Sequence, residues 1–414
     1  MLRHAGIYTL ANLINAAVPF LLLPVLTNYL SPAEYGIVAM FQVLMNGLLP
    51  FMGFSLDAAI SRQYFDRHET DFPRYVSNAL LLLALSSVLV SILFLMPGAF
   101  IEKYSDFPRE WLWSVLLFAF CQKLAEVILS VWRVQNKAIE FGVFRILRTG
   151  LDMALSIYFV IVLKRSWEGR IEGQVVAAAF FALMALFYLY RGGYLKTGLR
   201  KEYLRSVMQF GLPLVPHVLG GIIITYSDRI FITNMVGVTE MGLYSVGYQI
   251  GMVIYLFQNS FNQAWQPWLY DKIKQDKEKD KANIVRYTYL YVIGILLLAI
   301  AMSIAAPFIV GLMTGDSYSG AIPFIAWIAF GFAFNGMYKM FVNYLFYFRK
   351  TRLIGMMTIS VAVLNIILNY FLISLNGAIG AAQASAISFL LQFMVVAVIA
   401  NRTYPLKWIN FRAE

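Results

Sequence analysis

Cysteine is nearly absent from this sequence. Cys121 stands alone in 414 residues, which excludes an intramolecular disulfide framework and a cysteine-rich metal site. The three histidines, His4, His68 and His217, lie far apart and show no metal-ligand spacing, so no metal centre is expected. No G-x-x-x-x-G-K-[ST] occurs, so the chain has no recognisable phosphate loop. Alternating strand patterns are missing too, which argues against an outer-membrane barrel. Long loops are also lacking. The longest loop on the side opposite the N-terminus, about Pro97 to Glu110, is too short for the carboxylates and histidines of a membrane glycosyltransferase or polymerase. An enzyme is therefore not expected. Charge is scarce as well: 13% of residues, against about 25% in soluble domains.

What fills the space is apolar. The chain is 60% hydrophobic, more than soluble packing can hide at this length. About 20 apolar residues cross about 30 Å of hydrocarbon as a helix. About twelve such spans are legible, near 6–30, 36–62, 75–97, 111–132, 138–163, 171–190, 206–235, 241–268, 286–312, 320–346, 353–375 and 378–400. The fold class is an all-α integral membrane protein.

A short repeat organises these spans. Thr27-Asn28, Glu34 and Gly36 recur at the same spacing as Thr233-Asn234, Glu240 and Gly242, each copy closing the first long apolar segment of its half. Two similar six-helix lobes are expected, at 1–190 and 206–400, joined by a basic linker at 191–205 and followed by a tail at 401–414. Six helices per lobe is an even number, so the repeats are parallel, related by an axis along the membrane normal. Such an arrangement suits a transporter.

The net charge of +11 suggests nucleic acid until its distribution is read. With loops alternating from a cytoplasmic N-terminus, 23 of the 33 basic residues fall on the cytoplasmic side and five, Lys103, Arg109, Lys164, Arg165 and Arg170, in outer loops. That bias orients membrane proteins and explains the net charge without nucleic acid. Both termini and the Asp271–Asn283 loop are expected in the cytoplasm.

Five bases remain inside spans: Lys123, Arg145, Arg148, Arg229 and Lys339. Asp57, Glu126, Asp152 and Asp228 accompany them, with Glu140 near an edge. A charge at the bilayer centre costs at least ~2.5–3.5 kcal/mol, so it faces a partner or a wet cavity. Arg145, Arg148 and Asp152 share one stripe of the fifth span; Lys123 and Glu126 share a face of the fourth. One reading is internal ion pairs that fix helix contacts. The other is a positively lined cavity for an anionic head group, since arginine's forked donors match phosphate oxygens. The four carboxylates are then candidates for coupling to a proton or sodium ion. No other cofactor is expected.

The eighth span carries Gln258, Asn259, Asn262, Gln263 and Gln266 beside Trp265 and Trp268. Gln258, Asn262 and Gln266 form a ridge that, with Trp265, would suit sugar contact; helix-to-helix amide bonds explain it equally well. Prolines at 19 and 24 in the first span, and at 213 and 216 in the seventh, correspond by helix but not at the 206-residue offset; they point to interrupted helices at a binding site or, equally well, to bends without a site.

At Leu26-Thr27-Asn28-Tyr29-Leu30-Ser31-Pro32-Ala33-Glu34-Tyr35-Gly36 the chain resembles bacterial polysaccharide-biosynthesis flippases of the Wzx type. These belong to a wider superfamily that includes the multidrug and toxin exporters. Phe210-Gly211-Leu212-Pro213-Leu214, Ser227-Asp228-Arg229, Glu240-Met241-Gly242-Leu243-Tyr244-Ser245 and Ala264-Trp265-Gln266-Pro267 add to the likeness, which runs end to end. The resemblance implies a MATE-like fold in the bacterial inner membrane, two lobes around a cationic cavity, and alternating access driven by an ion gradient. It implies a polyprenyl-diphosphate-linked oligosaccharide as substrate, moved from the cytoplasmic to the periplasmic leaflet, with membrane lipids and glycan-assembly machinery as partners. A multidrug antiporter of the same fold is the alternative; its cavity would be more acidic and aromatic. A peptidoglycan-precursor flippase of this fold would be expected to carry two more C-terminal helices.

Overall fold

The computed structural model describes residues 17–408, and its helices start where local chemistry lets them. Arg3, His4, Arg412, the beginning of the first span and the end of the tail lie outside the described residues. Helix α1 covers Ala17–Tyr29 and α2 covers Pro32–Leu48. Between them Ser31 and Glu34 form a capping box: the Ser31 backbone N–H donates to Glu34 Oε2 at 2.7 Å, and the Glu34 N–H donates to Ser31 Oγ at 3.4 Å. Pro32 opens the helix, where its missing N–H costs nothing. Thr27 and Thr233 of the repeat both donate to the carbonyl four residues back, Leu23 at 2.8 Å and Arg229 at 2.9 Å. Part of the repeated motif is therefore helix-end chemistry.

The second span is broken. Its first part is α2 and its second is α3, Leu56–Gln63, whereas the hydrophobic run predicts one helix over 36–62. Gly53, Phe54 and Ser55 lie consecutively at φ of 74°, 49° and 54°, a conformation in which no helix continues. The Ser86 hydroxyl holds this corner by accepting from the Gly53 N–H at 2.9 Å.

The rest of the first half follows as α4 (Phe72–Leu95), α5 (Gly98–Ser105), α6 (Leu112–Val134), α7 (Ala138–Ile157) and α8 (Ser166–Arg191). A π-helical turn at Tyr158–Val162 widens the end of α7. Next come α9 (Lys201–Gly211) and α10 (Val215–Met235), a pair bent by 44° beside Pro213 and Pro216. The second half holds α11 (Val238–Gly251), α12 (Val253–Gln275), α13 (Glu278–Met313), α14 (Ile322–Tyr347), α15 (Thr351–Asn376) and α16 (Ile379–Thr403). No strand occurs among the described residues.

Among the described residues, seven helices are long and apolar enough to cross a membrane, or eight if the bent pair counts as one span. The expected spans that fall short include the broken second span, the charged α7 and the amide-rich α12. The break leaves α2 and α3 too short, at 17 and 8 residues, and polarity lowers α7 and α12. The predicted Asp271–Asn283 loop is mostly helix: α12 runs to Gln275 and α13 starts at Glu278. At 36 residues α13 is about 54 Å long, more than the hydrocarbon requires. Beside it the Asp276 carboxylate is held below its usual range by hydrogen bonds from Tyr404, at 2.8 Å, and Lys281, at 3.1 Å.

The chain forms two compact units, Met1–Thr233 and Asn234–Glu414. In the first, α6 is the central helix, packed by α2, α3, α4, α7 and α8. In the second, α14 holds that place among α11, α12, α13 and α16. Counted in the expected halves 1–190 and 206–400, each central helix is the fourth span, although α10, the seventh span, falls largely in the first unit.

The basic linker after α8 is not free. Ser77 Oγ donates to the Tyr194 carbonyl at 2.5 Å and accepts from the Lys196 N–H at 2.7 Å. Asn78 donates to the Gly198 carbonyl at 3.2 Å and accepts from the Arg200 N–H at 3.0 Å. Lys196 reaches Asp71, the N-cap of α4, at 3.2 Å. Two side chains of α4 thus supply the hydrogen bonds that an adjacent strand would. Replacing both (Ser77→Ala with Asn78→Ala) should release the strap, accelerating tryptic cleavage at Lys196, Arg200 and Lys201 at least tenfold without altering the thermal midpoint by more than a few degrees. Unchanged cleavage would mean that these bonds do not hold it.

Candidate functional site

The stripe predicted on the fifth span is real and faces a cavity. Arg145, Arg148 and Asp152 of α7 line a space of about 370 Å³ together with Asp57 of α3 and Glu126 of α6. Gln174 of α8 and Arg133, at the end of α6, add to its polar wall, with Gln122, Ser130 and Thr149. The Phe141 ring lies between two of the arginines, with the Arg133 guanidinium 5.5 Å and that of Arg145 5.6 Å from its centroid.

Three carboxylates and three arginines line one space, which looks balanced. Two further bases behind the wall undo the balance. Lys123 is not a lining residue; its ammonium sits 3.5 Å from Asp57 and 4.0 Å from Glu126. Arg170 of α8 lies 2.6 Å from Asp152 and also donates to the Ser156 hydroxyl. Its side chain is 10% exposed. Lys123 and Arg170 therefore neutralise Asp57 and Asp152. With Lys123 shared between Asp57 and Glu126, the five bases Arg133, Arg145, Arg148, Lys123 and Arg170 meet three carboxylates, and the cavity is net positive. Arg148 makes no ion pair within 4.0 Å with another described residue, so its fork is open to a ligand.

Arg170 departs from the sequence expectation, which puts it in an outer loop by starting the sixth span at 171. The helix begins five residues earlier. A signal was present: Gly169 and Gly173, four apart, mark a face where another backbone comes close. A Cβ at Gly173 would lie 2.7 Å from the Ser156 nitrogen, and one at Gly169 2.9 Å from the Phe159 carbonyl carbon. Without these glycines α8 could not approach α7 closely enough for Arg170 to reach Asp152. Ser166, at the head of α8, donates to Glu34, so the capping-box carboxylate also ties α8 to α2.

Other predicted site residues lie elsewhere. Asp228 and Arg229 on α10 are both buried and pair with each other at 3.3 Å; Arg229 also donates to the Thr225 carbonyl at 2.8 Å. Lys339 belongs to the second unit. It donates to Asn259 at 3.3 Å and stands 4.8 Å from the Tyr255 ring centroid. The amide ridge of α12 is joined to α14: Gln258 donates to Asn335 at 3.1 Å, and Asn262 accepts from Asn343 at 2.8 Å. With the Lys339–Asn259 bond these make a three-rung polar ladder. Gln266 bonds within its own helix, to the Tyr270 hydroxyl at 3.0 Å. Trp265 is buried, and its indole N–H has no partner among the described residues.

The family profile described as polysaccharide biosynthesis protein matches residues 1–271, and the profile described as MatE matches residues 213–371. A protein of the Lsg locus of Haemophilus influenzae is 26% identical over 365 residues, covering 85% of this chain and 86% of that protein. The probable low-salt glycan biosynthesis flippase Agl15 of Haloferax volcanii is 22% identical, covering 92% of this chain and 79% of the relative. Among solved structures, the lipid II flippase MurJ in an inward closed conformation superposes with a TM-score of 0.74 at 12% identity, over 96% of this chain and 87% of that one. An inward-facing multidrug resistance MATE transporter gives 0.69 at 15% identity, over 95% and 94%. At these identities the structures show a shared fold, a MATE-like multi-pass membrane protein.

The Arg170–Asp152 pair yields a stability test. Arg170→Ala leaves Asp152 without its base, at a cost on the order of 2–4 kcal/mol, reduced from the fully buried case because Asp152 is a quarter exposed. The neutral double variant Arg170→Gln with Asp152→Asn should recover most of it. Thermal unfolding of the detergent-solubilised chain reads both, and a single variant as stable as wild type would remove the pair from the fold's supports.

Proposed function

The chain belongs to the polysaccharide biosynthesis protein family, and we propose that it is a flippase for a polyprenyl-diphosphate-linked oligosaccharide. It moves this substrate from the cytoplasmic to the periplasmic leaflet of a bacterial inner membrane by alternating access. The observation that carries this reading is the charge balance of the first-unit cavity, where five bases in and behind the wall meet three carboxylates. A diphosphate and its sugars cannot cross hydrocarbon unaided, because each buried polar group without a partner is costly. Arginine forks in a wet cavity supply partners for the phosphate oxygens, while the polyprenyl tail remains in lipid. A cationic drug would be repelled by the same wall, which disfavours the multidrug alternative despite the MatE match over the later part of the chain. The glycan-biosynthesis role in the name of the Haloferax relative agrees with this substrate class. The basic-residue bias supports a cytoplasmic location for both termini and the 192–200 strap, and on this reading protease should reach the strap only from that side.

In vesicles loaded with lipid-linked oligosaccharide from the native host, Arg148→Ala should reduce flipping at least a hundredfold. Arg148→Lys should recover part of it, because the charge survives and the fork does not. Wild-type flipping by a double Arg145→Ala, Arg148→Ala variant that inserts normally would refute the cationic-cavity reading.

Ion coupling requires a group whose affinity for the ion differs between two conformations. Of the four candidate carboxylates, Asp152 and Asp228 are each held by an adjacent arginine and Asp57 by Lys123. Glu126 has the longest pairing, 4.0 Å from Lys123, and lines the cavity where the diphosphate would compete for the same bases. Glu126→Gln should therefore abolish the response of flipping to an imposed pH or sodium gradient, and Asp152→Asn should not. A Glu126→Gln protein that keeps the full response would shift the ion site elsewhere.

A further inference from the structure

Helix α9 has one face with a role in the fold and one without. The inner face docks on its own unit: Val207 is fully buried, Tyr203 packs on Tyr75 with ring centroids 5.6 Å apart, and a Cβ at Gly211 would collide with the Phe54 carbonyl. The outer face is a groove of about 440 Å³ lined by Lys201, Leu204, Arg205, Met208, Gln209 and Leu212. These six fall at i, i+3, i+4, i+7, i+8 and i+11, so they form one stripe.

The stripe changes character along its length. Lys201 and Arg205, one turn apart and exposed, make no ion pair with another described residue. Leu204 lies between them, and beyond them come Met208 and Leu212, 40% and 50% exposed. Glu202, the acid nearest in sequence, projects about 100° round the helix from Lys201 and off the stripe. From Lys201 to Leu212 the helix rises about 16 Å, roughly half the ~30 Å hydrocarbon thickness and so the depth of one leaflet. The cationic end is also held in place, because Asn78 accepts from the Arg200 N–H immediately before the helix.

We propose that this groove is a binding site for one anionic phospholipid, its phosphate between Lys201 and Arg205 and an acyl chain along Leu204, Met208 and Leu212. Two unpaired cations match an anionic head group, and the apolar continuation to leaflet depth selects a lipid over a soluble anion. Juxtamembrane basic residues attract anionic lipid by the same electrostatics. The site is separate from the arginine cavity and does not depend on what that cavity carries.

Native mass spectrometry of the detergent-solubilised full chain, titrated with dioleoylphosphatidylglycerol, dioleoylphosphatidylcholine and inorganic phosphate, tests the proposal. Wild type should retain phosphatidylglycerol in preference to phosphatidylcholine. Lys201→Gln with Arg205→Gln should weaken phosphatidylglycerol binding about 30-fold, each charge contributing about fivefold. The swap Lys201→Arg with Arg205→Lys should stay within about twofold of wild type, and Met208→Asn should weaken the lipid without changing phosphate binding. Unchanged phosphatidylglycerol binding by the double glutamine variant, with the thermal midpoint of wild type, overturns the site. So does inorganic phosphate competing as well as the lipid, which would mark an anion site only. Displacement of phosphatidylglycerol by an equal concentration of polyprenyl diphosphate would reassign the groove to that lipid and overturn the phospholipid.

Discussion

A charge placed among membrane helices has to meet an opposite charge or water, and this constraint organises the first unit. Asp57 and Asp152 are satisfied from behind, by Lys123 and Arg170, so the arginines in front are not consumed by them. The satisfaction is geometric before it is electrostatic. Arg170 reaches Asp152 only because α8 presents glycine where it crosses the backbone of α7. The cavity therefore depends on a packing detail at the far side of its own wall.

Much of this was legible in sequence, and the reason is periodicity. A stripe at steps of three and four residues on a helix needs no tertiary knowledge, which is why Arg145, Arg148 and Asp152 were found together. Composition gave the all-helical membrane fold on similarly local grounds. What sequence could not supply was partner choice across long separations. Lys123 was paired with Glu126, three residues away, while its nearer partner is Asp57. Asp152 shares its stripe with Arg145 and Arg148, but the base it meets is Arg170 on the next helix. Arg170 itself was lost to a boundary drawn five residues late. The break at Gly53–Ser55 was hidden because hydrophobicity continues across it while the backbone does not.

The two units share a plan and differ in polar chemistry. Each is built on the fourth span of its half, α6 or α14. Around α6 the polar groups are mostly charged and border a cavity. Around α14 they are mostly amides, and they close on one another as rungs between α12 and α14. The ridge of Gln258 and Asn262 was equally readable as a sugar platform or a helix contact. In this structure those two side chains are used in the contact. Helix-to-helix amide bonds are favoured in lipid because water is not there to compete for them.

The wall and its rear bases also bear on how such a protein diverges. Asp57 with Lys123 and Asp152 with Arg170 are cross-element pairs in which losing one member strands the other. Substitutions there are tolerated together and purged singly, so across descendants of one ancestor the paired positions should covary. Arg133 and Arg148 form no such pair among the described residues. If they hold the cargo, as proposed, their pattern of change should follow it, and the two kinds of position should be separable in an alignment of relatives by covariation.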